Sequence, residues 1–205
     1  YTFRKLVRAD VALLARYFSS FSEATKTRFA PHPLTDKYAN KLCKLKADSA
    51  QRFVLLPKSS DKIIGYFILE YQMSPHEARR YREQGIYLES ELDPLFAPSI
   101  ADDYQNRGLA SSVMPLIIDA AKEHGARSLV LMGGTQATNR TAIVFYEKFG
   151  FKRYGGYQTD IFNHDMRLVF EERMKKPSVE KARDQEIASD YIEFAVGSSY
   201  GNRPT

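Results

Sequence analysis

The chain has 205 residues, of which 43% are hydrophobic and 27% charged, so its composition is that of a globular protein with one sizeable core. No run approaches the roughly 18 apolar residues of a membrane span, no signal-peptide pattern opens the chain, and the single cysteine, Cys43, excludes an internal disulfide. The net charge of +5 favours anionic ligands, but the basic residues are scattered among acids. We therefore expect a cytoplasmic protein with no membrane partner and no nucleic acid partner.

Strand and helix patterns alternate in the N-terminal part of the chain. A short strand is predicted over residues 2–8, and Asp10 is placed to cap a helix. A second helix is expected over 35–47. The apolar and β-branched runs 51–57 and 62–72 flank a polar turn, which predicts a β-hairpin.

An inserted helix is predicted over residues 75–84. Ser74, Pro75 and Glu77 form a capping pattern, and Gly85 stands where a left-handed residue ends a helix. The sequence leaves open whether the arginines of this helix face an acidic substrate or solvent; they are Arg79, Arg80 and Arg82.

Six further elements follow in the second half of the chain. They are a strand over 95–101, a long helix ending at Gly125, a strand over 128–132, a helix over 139–148 and a strand pair over 151–157 and 162–170. Pro115 removes one backbone donor inside the long helix, so we expect a kink there.

The last 35 residues differ in character from the rest. Acids and bases balance over 171–186, which is typical of a solvated linker or helix. Apolar residues then recur at helical spacing and predict a short amphipathic helix before a polar tail; they are Ile187, Tyr191, Phe194 and Ala195. We therefore divide the chain into a domain over 1–170 and an appendage over 171–205.

The most informative segment, residues 105–110, lies between a predicted strand and the start of the long helix. The first N–H groups of a helix have no internal partners and carry positive potential, so such a junction can bind a phosphate. Gly108 lets the backbone approach a bulky ligand, and Ser111 adds a hydroxyl. An ordinary strand-turn-helix connection is the alternative reading. The segment lacks the lysine of a P-loop and the glycine pattern of a dinucleotide fold.

Two motifs together resemble the GNAT superfamily of acyl-CoA dependent N-acyltransferases. The first is the Gln-x-x-Gly-x-Ala pattern at 105–110, and the second, about thirty residues later, begins at Asn139 and includes Ala142 and the run 145–151. The resemblance implies an α/β (α+β) single domain with a mixed, mostly antiparallel sheet, with acetyl-CoA as cosubstrate. We expect no metal, because the four histidines are scattered without metal-ligand spacing.

The resemblance also implies which residues hold the coenzyme. The pyrophosphate would be wrapped by Gln105, Asn106, Arg107, Gly108, Leu109, Ala110 and Ser111. Backbone near Ile100 would bind the pantetheine, although Pro98 is a departure because it has no N–H to donate. Asn139 matches the pantetheine-contacting asparagine of the family, and a simple helix cap is its alternative role.

Tyr146 matches the position at which many family members place a general acid for the departing thiolate. A tyrosine packed in its helix, with its hydroxyl on a backbone group, is the alternative. Glu91 and Asp93 are the candidates for the base that deprotonates the acceptor ammonium, and solvent-exposed structural acids are their alternative reading.

The sequence thus predicts an N-acetyltransferase whose partners are acetyl-CoA and an amine acceptor. By the resemblance, acceptor specificity should come from residues 20–34 and 154–163. A catalytically silent acyl-CoA sensor and an RNA-associated acetyltransferase are the competing hypotheses, and a homodimer is left open.

Overall fold

The computed structural model describes residues 1–29, 31–45, 49–170 and 191–194. Nine strands in these residues form one sheet in the order β6-β8-β5-β4-β3-β2-β1-β9, with β7 paired to β8. The strands are β1 (Thr2–Lys5), β2 (Ala50–Leu56), β3 (Gly65–Glu70), β4 (Leu95–Ile100), β5 (Ser128–Leu131), β6 (Thr135–Gln136), β7 (Lys152–Gln158), β8 (Phe162–Val169) and β9 (Tyr191–Glu193). The helices are α1 (Val11–Ser19), α2 (Glu23–Lys26), α3 (Asp36–Lys44), α4 (Pro75–Glu83), α5 (Leu109–Glu123) and α6 (Arg140–Lys148).

The sheet is mixed and mostly antiparallel, as predicted. Within the described ranges, β4 and β5 form its only parallel pair, and α5 supplies the crossover connection that a parallel pair needs. The predicted hairpin is confirmed as β2 and β3, which pair antiparallel from Ala50 opposite Glu70 to Leu55 opposite Gly65.

Helices cover both faces of the sheet, because successive strand residues point to opposite sides. On β2, Leu55 belongs to the core that includes residues of α5 and α6, whereas its neighbour Val54 belongs to the core that includes residues of α1 and α3. Burying one such side chain contributes roughly 1.5–3 kcal/mol. The strands β4 and β5 therefore lie between two cores, one on what we call the α5/α6 face and one on the α1/α3 face.

The inserted helix and the long helix have the predicted ends. Ser74 accepts a hydrogen bond from the backbone N–H of Glu77 at 3.2 Å, and Gly85 has φ +75°. α5 runs as one helix from Leu109 to Glu123 with Pro115 in its interior, and Gly125 follows its end at φ +92°.

Several predicted element boundaries are wrong or lie outside the described residues. The first strand ends at Lys5, and the Asp10 carboxylate pairs with Arg4 at 2.7 Å instead of capping α1. The helix predicted over 35–47 ends at Lys44, and Ala47 lies outside the described residues.

The C-terminal helix predicted from the sequence is wrong at residues 191–193. Tyr191–Glu193 form a strand, β9, that pairs antiparallel with β1, so these residues extend the sheet. An edge strand presents unpaired N–H and C=O groups, and pairing with β9 satisfies those of β1. Ile187, Ala195 and the predicted linker 171–186 lie outside the described residues, and the boundary at 170 stays a prediction.

Candidate active site

A gap opens between β4 and β5 in the middle of the sheet. The two strands pair only Leu95 with Val130 and Phe96 with Leu131, followed by a hydrogen bond from the Met132 N–H to the Phe96 carbonyl at 2.9 Å. Beyond this point β4 continues to Ile100 alongside β3 alone. The last residues of β4 therefore have no strand partner on the β5 side.

The backbone groups that face this gap follow from strand geometry. The Ala101 N–H donates to the Ile64 carbonyl on the β3 side, at 2.9 Å, and alternate residues of a strand point their main-chain groups to opposite neighbours. Pro98 and Ile100 therefore point theirs toward the gap. Because Pro98 has no N–H and the Ile100 carbonyl accepts from Gln105 Nε2 at 3.1 Å, the gap offers the Pro98 carbonyl and the Ile100 N–H.

The start of α5 borders the same gap. Gly108, at φ +76°, turns the chain into the helix, a conformation that a residue with a Cβ adopts at a cost of roughly 1–2 kcal/mol. The first helical hydrogen bond runs from the Ser112 N–H to the Gly108 carbonyl at 3.0 Å. Three N–H groups thus precede the helical ladder without a partner in the described chain; they belong to Leu109, Ala110 and Ser111.

These features line one cleft of about 920 Å³. Most of the predicted coenzyme residues border it, namely Ile100, Gln105, Asn106, Gly108, Leu109, Ala110, Ser111 and Asn139. Arg107 does not: its guanidinium lies over the ring of Tyr104, 5.1 Å from the centroid.

Tyr146 reaches the cleft from α6 on the α5/α6 face. Its side chain is 8% exposed and packs against Phe145 and Phe151, with ring centroids 5.1 and 5.4 Å away. Within the part of the chain that the structure describes, its hydroxyl has no hydrogen-bond partner, which argues against the purely structural reading. Burial raises the pKa of Tyr146 above its ordinary value, so the phenol keeps its proton at neutral pH.

Asn139 caps α6 and also lines the cleft. Its Oδ1 accepts from the Ala142 N–H at 3.3 Å, which confirms the cap reading. The cap leaves the side-chain Nδ2 without a partner among the described residues, so the same residue can donate into the cleft.

The structure does not bring Glu91 or Asp93 to the cleft. Glu91 is exposed near the opposite end of β4. Asp93 is fully buried and pairs with Arg127 and Arg167 at 2.8 and 2.7 Å. Burial opposes ionisation, yet hydrogen bonds from Arg127 and Ser128 outweigh it and hold the pKa of Asp93 below its ordinary value. Asp93 is therefore a structural anion and not the base.

Another part of the cleft wall includes Phe29, which packs against the core of the α1/α3 face. Both segments expected to bind the acceptor contribute to it, through Thr25, Thr27, Arg28, Phe29, Pro31, Tyr157, Thr159 and Asn163. Gln136 Nε2 donates to the Thr27 carbonyl at 3.2 Å and so joins β6 to this wall.

The inserted helix α4 supports the cleft from behind. Glu77 Oε1 accepts from the Gly133 N–H at 2.7 Å, and the Tyr157 hydroxyl donates to the Gly133 carbonyl, so both sides of that turn are held. Arg80 is buried and pairs with Asp165 at 3.0 Å, so it neither faces a substrate nor lies in solvent. The sequence pattern did not point to Glu77 as a supporting residue.

In the described ranges no helix has the length and apolar character to cross a membrane. The same residues contain no cluster of three histidine, cysteine or acidic side chains arranged for a metal ion.

Comparison with known proteins decides the family. The family model described as "Acetyltransferase (GNAT) family" matches residues 14–151. The chain belongs to the GNAT acetyltransferase family. As a GNAT protein it is an acyltransferase, and the family implies acetyl-CoA as the cosubstrate.

Solved GNAT structures share the fold at low identity. The GNAT domain of PAT from S. lividans has a TM-score of 0.64 at 16% identity, covering 82% of this chain and 89% of that one. Ribosomal-protein-S5-alanine acetyltransferase from Vibrio fischeri has a TM-score of 0.63 at 16% identity, covering 85% and 94%.

One curated relative matches over a shorter stretch. N-alpha-acetyltransferase 30 of Schizosaccharomyces pombe is 36% identical over 56 residues. The match spans 27% of this chain and about a third of that relative, 36% of its length.

Proposed function

We propose that this protein transfers the acetyl group of acetyl-CoA to a primary amine by direct attack in a ternary complex. The observation that carries the proposal is the unpartnered Tyr146 phenol, which shares a cleft with the free N–H groups at the start of α5 and along the end of β4. Helix N-terminal N–H groups suit a pyrophosphate, and strand-like N–H and C=O groups suit the pantetheine amides.

Acetyl transfer forms one covalent bond and breaks another. The thioester supplies the electrophilic carbonyl; a C–N bond forms to the amine and the C–S bond breaks. The ammonium loses one proton to solvent before attack, and its nitrogen loses a second proton to solvent as the C–N bond forms. The Tyr146 phenol gives its proton to the departing thiolate and regains one from solvent, so one proton is released per transfer. Glu91 and Asp93 take no part, since neither borders the cleft.

An α-amine is the acceptor that we expect to react best. The titratable side chains that line the cleft are Arg28, Arg140, Tyr104, Tyr146 and Tyr157. Since none of these five side chains is a carboxylate or a histidine that could accept a proton from the acceptor, we expect an amine that is already partly neutral to react best. The pKa of an α-amine, about 7.7–8.0, is well below the roughly 10.4 of lysine. Two similar proteins are named for N-alpha and alanine acetylation, which supports testing peptide N termini first.

Release of free thiol from acetyl-CoA, measured against a panel of amines, tests the proposal. We expect turnover with peptides that have a free α-amine. Tyr146→Phe should lower kcat about 100-fold while the KM for acetyl-CoA stays within about twofold, because only proton donation is lost. The matched control is Tyr87→Phe, which removes a phenol that is 72% exposed and outside the cleft, and it should have no effect. Acetyl-CoA binding without turnover of any amine would favour the sensor hypothesis instead.

A further inference from the structure

Asp102 forms hydrogen bonds both to the segment expected to bind the acceptor and to the loop expected to bind the coenzyme. It opens a single 3-10 turn, Asp102–Tyr104, between β4 and the start of α5, and both of its carboxylate oxygens are in use. Oδ2 accepts from the Ser22 N–H at 2.7 Å, and Oδ1 accepts from the Thr25 hydroxyl and from Gln105 Nε2, the latter at 3.0 Å. Burial opposes ionisation of this carboxyl, but these hydrogen bonds outweigh it and lower its pKa, so it is an anion at neutral pH.

Two of these contacts lead to the acceptor side. Residues 22–29, which we call the bridging segment, contain α2 and continue along the cleft wall. Phe21, which precedes the segment, is buried in the core of the α1/α3 face. Gln136 holds the far part of the segment through the Thr27 carbonyl. The bridging segment therefore crosses the open end of the gap, tied to Asp102 on the β4 side and to Gln136 on the β6 side.

The third contact leads to the coenzyme side. Gln105 Nε2 donates both to Asp102 and to the Ile100 carbonyl, so one amide group connects the carboxylate to the strand that borders the gap. Gln105 also begins the loop that turns into α5. Any ligand that fixes Gln105 and the end of β4 thereby restricts the position of Asp102.

We propose that Asp102 is a positioning residue that couples the coenzyme loop to the bridging segment, so that occupation of the coenzyme side stabilises the acceptor wall. The proposal rests on the proposed function for the assignment of the two sides. By thermodynamic linkage an acceptor held by the ordered segment strengthens coenzyme binding by the same factor.

Amide hydrogen exchange with coenzyme A as the probe tests this coupling without knowledge of the acceptor. In the wild-type protein, saturating coenzyme A should slow exchange in peptides covering residues 22–29 about fivefold, the lower end of common coupling strengths. In Asp102→Ala and in Thr25→Val this protection should be lost or strongly reduced. Calorimetry should show that Thr25→Val binds coenzyme A within about twofold of wild type, because among the described residues the Thr25 side chain is joined to the loop through Asp102.

Asp103→Asn is the matched control, since this neighbouring carboxylate is exposed and makes no side-chain hydrogen bond or ion pair with the described residues. It should keep the full protection. Thermal melts identify a variant that fails to fold, and Thr25→Val then carries the test alone. If coenzyme A binds to wild type but leaves exchange at 22–29 unchanged, or if Thr25→Val keeps the protection, the coupling is wrong while the proposed function stands. If coenzyme A does not bind to wild type, the proposed function itself fails.

Discussion

An aspartate lies at each end of β4, and the two carboxylates differ in burial and in the charge of their partners. Asp93, just before the strand, is 0% exposed and is neutralised by two arginines. Asp102, just after it, is half-buried, and neutral N–H and O–H groups from segments that border the cleft hydrogen-bond to it. A buried carboxylate needs full compensation and so fixes its surroundings, whereas a half-buried one with neutral partners leaves room for movement.

This difference explains why the sheet is closed at one end of β4 and open at the other. The two parallel pairs with β5 lie next to Asp93, whose carboxylate also accepts from Ser128 at the start of β5. No comparable link joins β4 to β5 beside Asp102 within the described residues, and the strands have separated there. Asp93 and its partners thus form a clamp at the closed end, away from the gap.

The largest expected effect comes from breaking that clamp. Asp93→Ala removes the carboxylate that pairs with Arg167, whose side chain is 12% exposed, and should lower the free energy of unfolding by about 3–5 kcal/mol. Denaturation in urea measures the loss. The control is Glu91→Gln, which changes an exposed carboxylate two residues away and should stay within about 0.5 kcal/mol of wild type. Equal stabilities of the two variants would contradict the clamp.

A smaller effect should distinguish the two ends of α5. Gly108→Ala and Gly125→Ala both place a Cβ at positive φ, so each should cost roughly 1–2 kcal/mol of stability. Only Gly108→Ala should weaken coenzyme A binding, by about tenfold or 1.4 kcal/mol, because it disturbs the helix start that borders the cleft. Calorimetric titration with coenzyme A checks this, and equal affinities of the two variants for coenzyme A would contradict the assignment of the phosphate site.

The smallest effect is expected from pH. The pKa of Asp93 in the folded protein lies below its unfolded value of about 3.9, so its contribution to stability is complete above that pH and is lost as the pH falls through the folded pKa. Stability should therefore decline below about pH 4. Denaturant titrations between neutral pH and pH 3 should show a shallower decline for Asp93→Asn than for Glu91→Gln, and parallel curves would argue against the burial and pairing of Asp93.

Local patterns in the sequence were enough to predict residues that the fold brings together on the proposed coenzyme side of the cleft. Gln105, Gly108, Asn139 and Tyr146 all border one cleft, because each motif contains its own turn or helix start and needs only a short stretch of chain to take shape. The predicted hairpin and α4 follow from equally local signals.

Contacts between distant segments were not predictable in this way. The ion pairs that make Asp93 a structural anion could not be predicted from local sequence, because its partners Arg127 and Arg167 lie 34 and 74 residues away in the chain. Asp102 was missed because Ser22 lies 80 residues before it. The spacing of Tyr191 and Phe194 is typical of a helix, but residues 191–193 pair with the edge of β1 as a strand, a contact that spacing alone does not reveal.

The most direct test of the central claim is an amide NMR titration with acetyl-CoA. If the coenzyme lies in the gap between β4 and β5, the Ile100 amide and the amides of Ala110 and Ser111 should show the largest shifts and slower exchange with solvent, because these N–H groups gain partners. Binding that leaves the Ile100 and Ala110 amides unchanged would contradict the account.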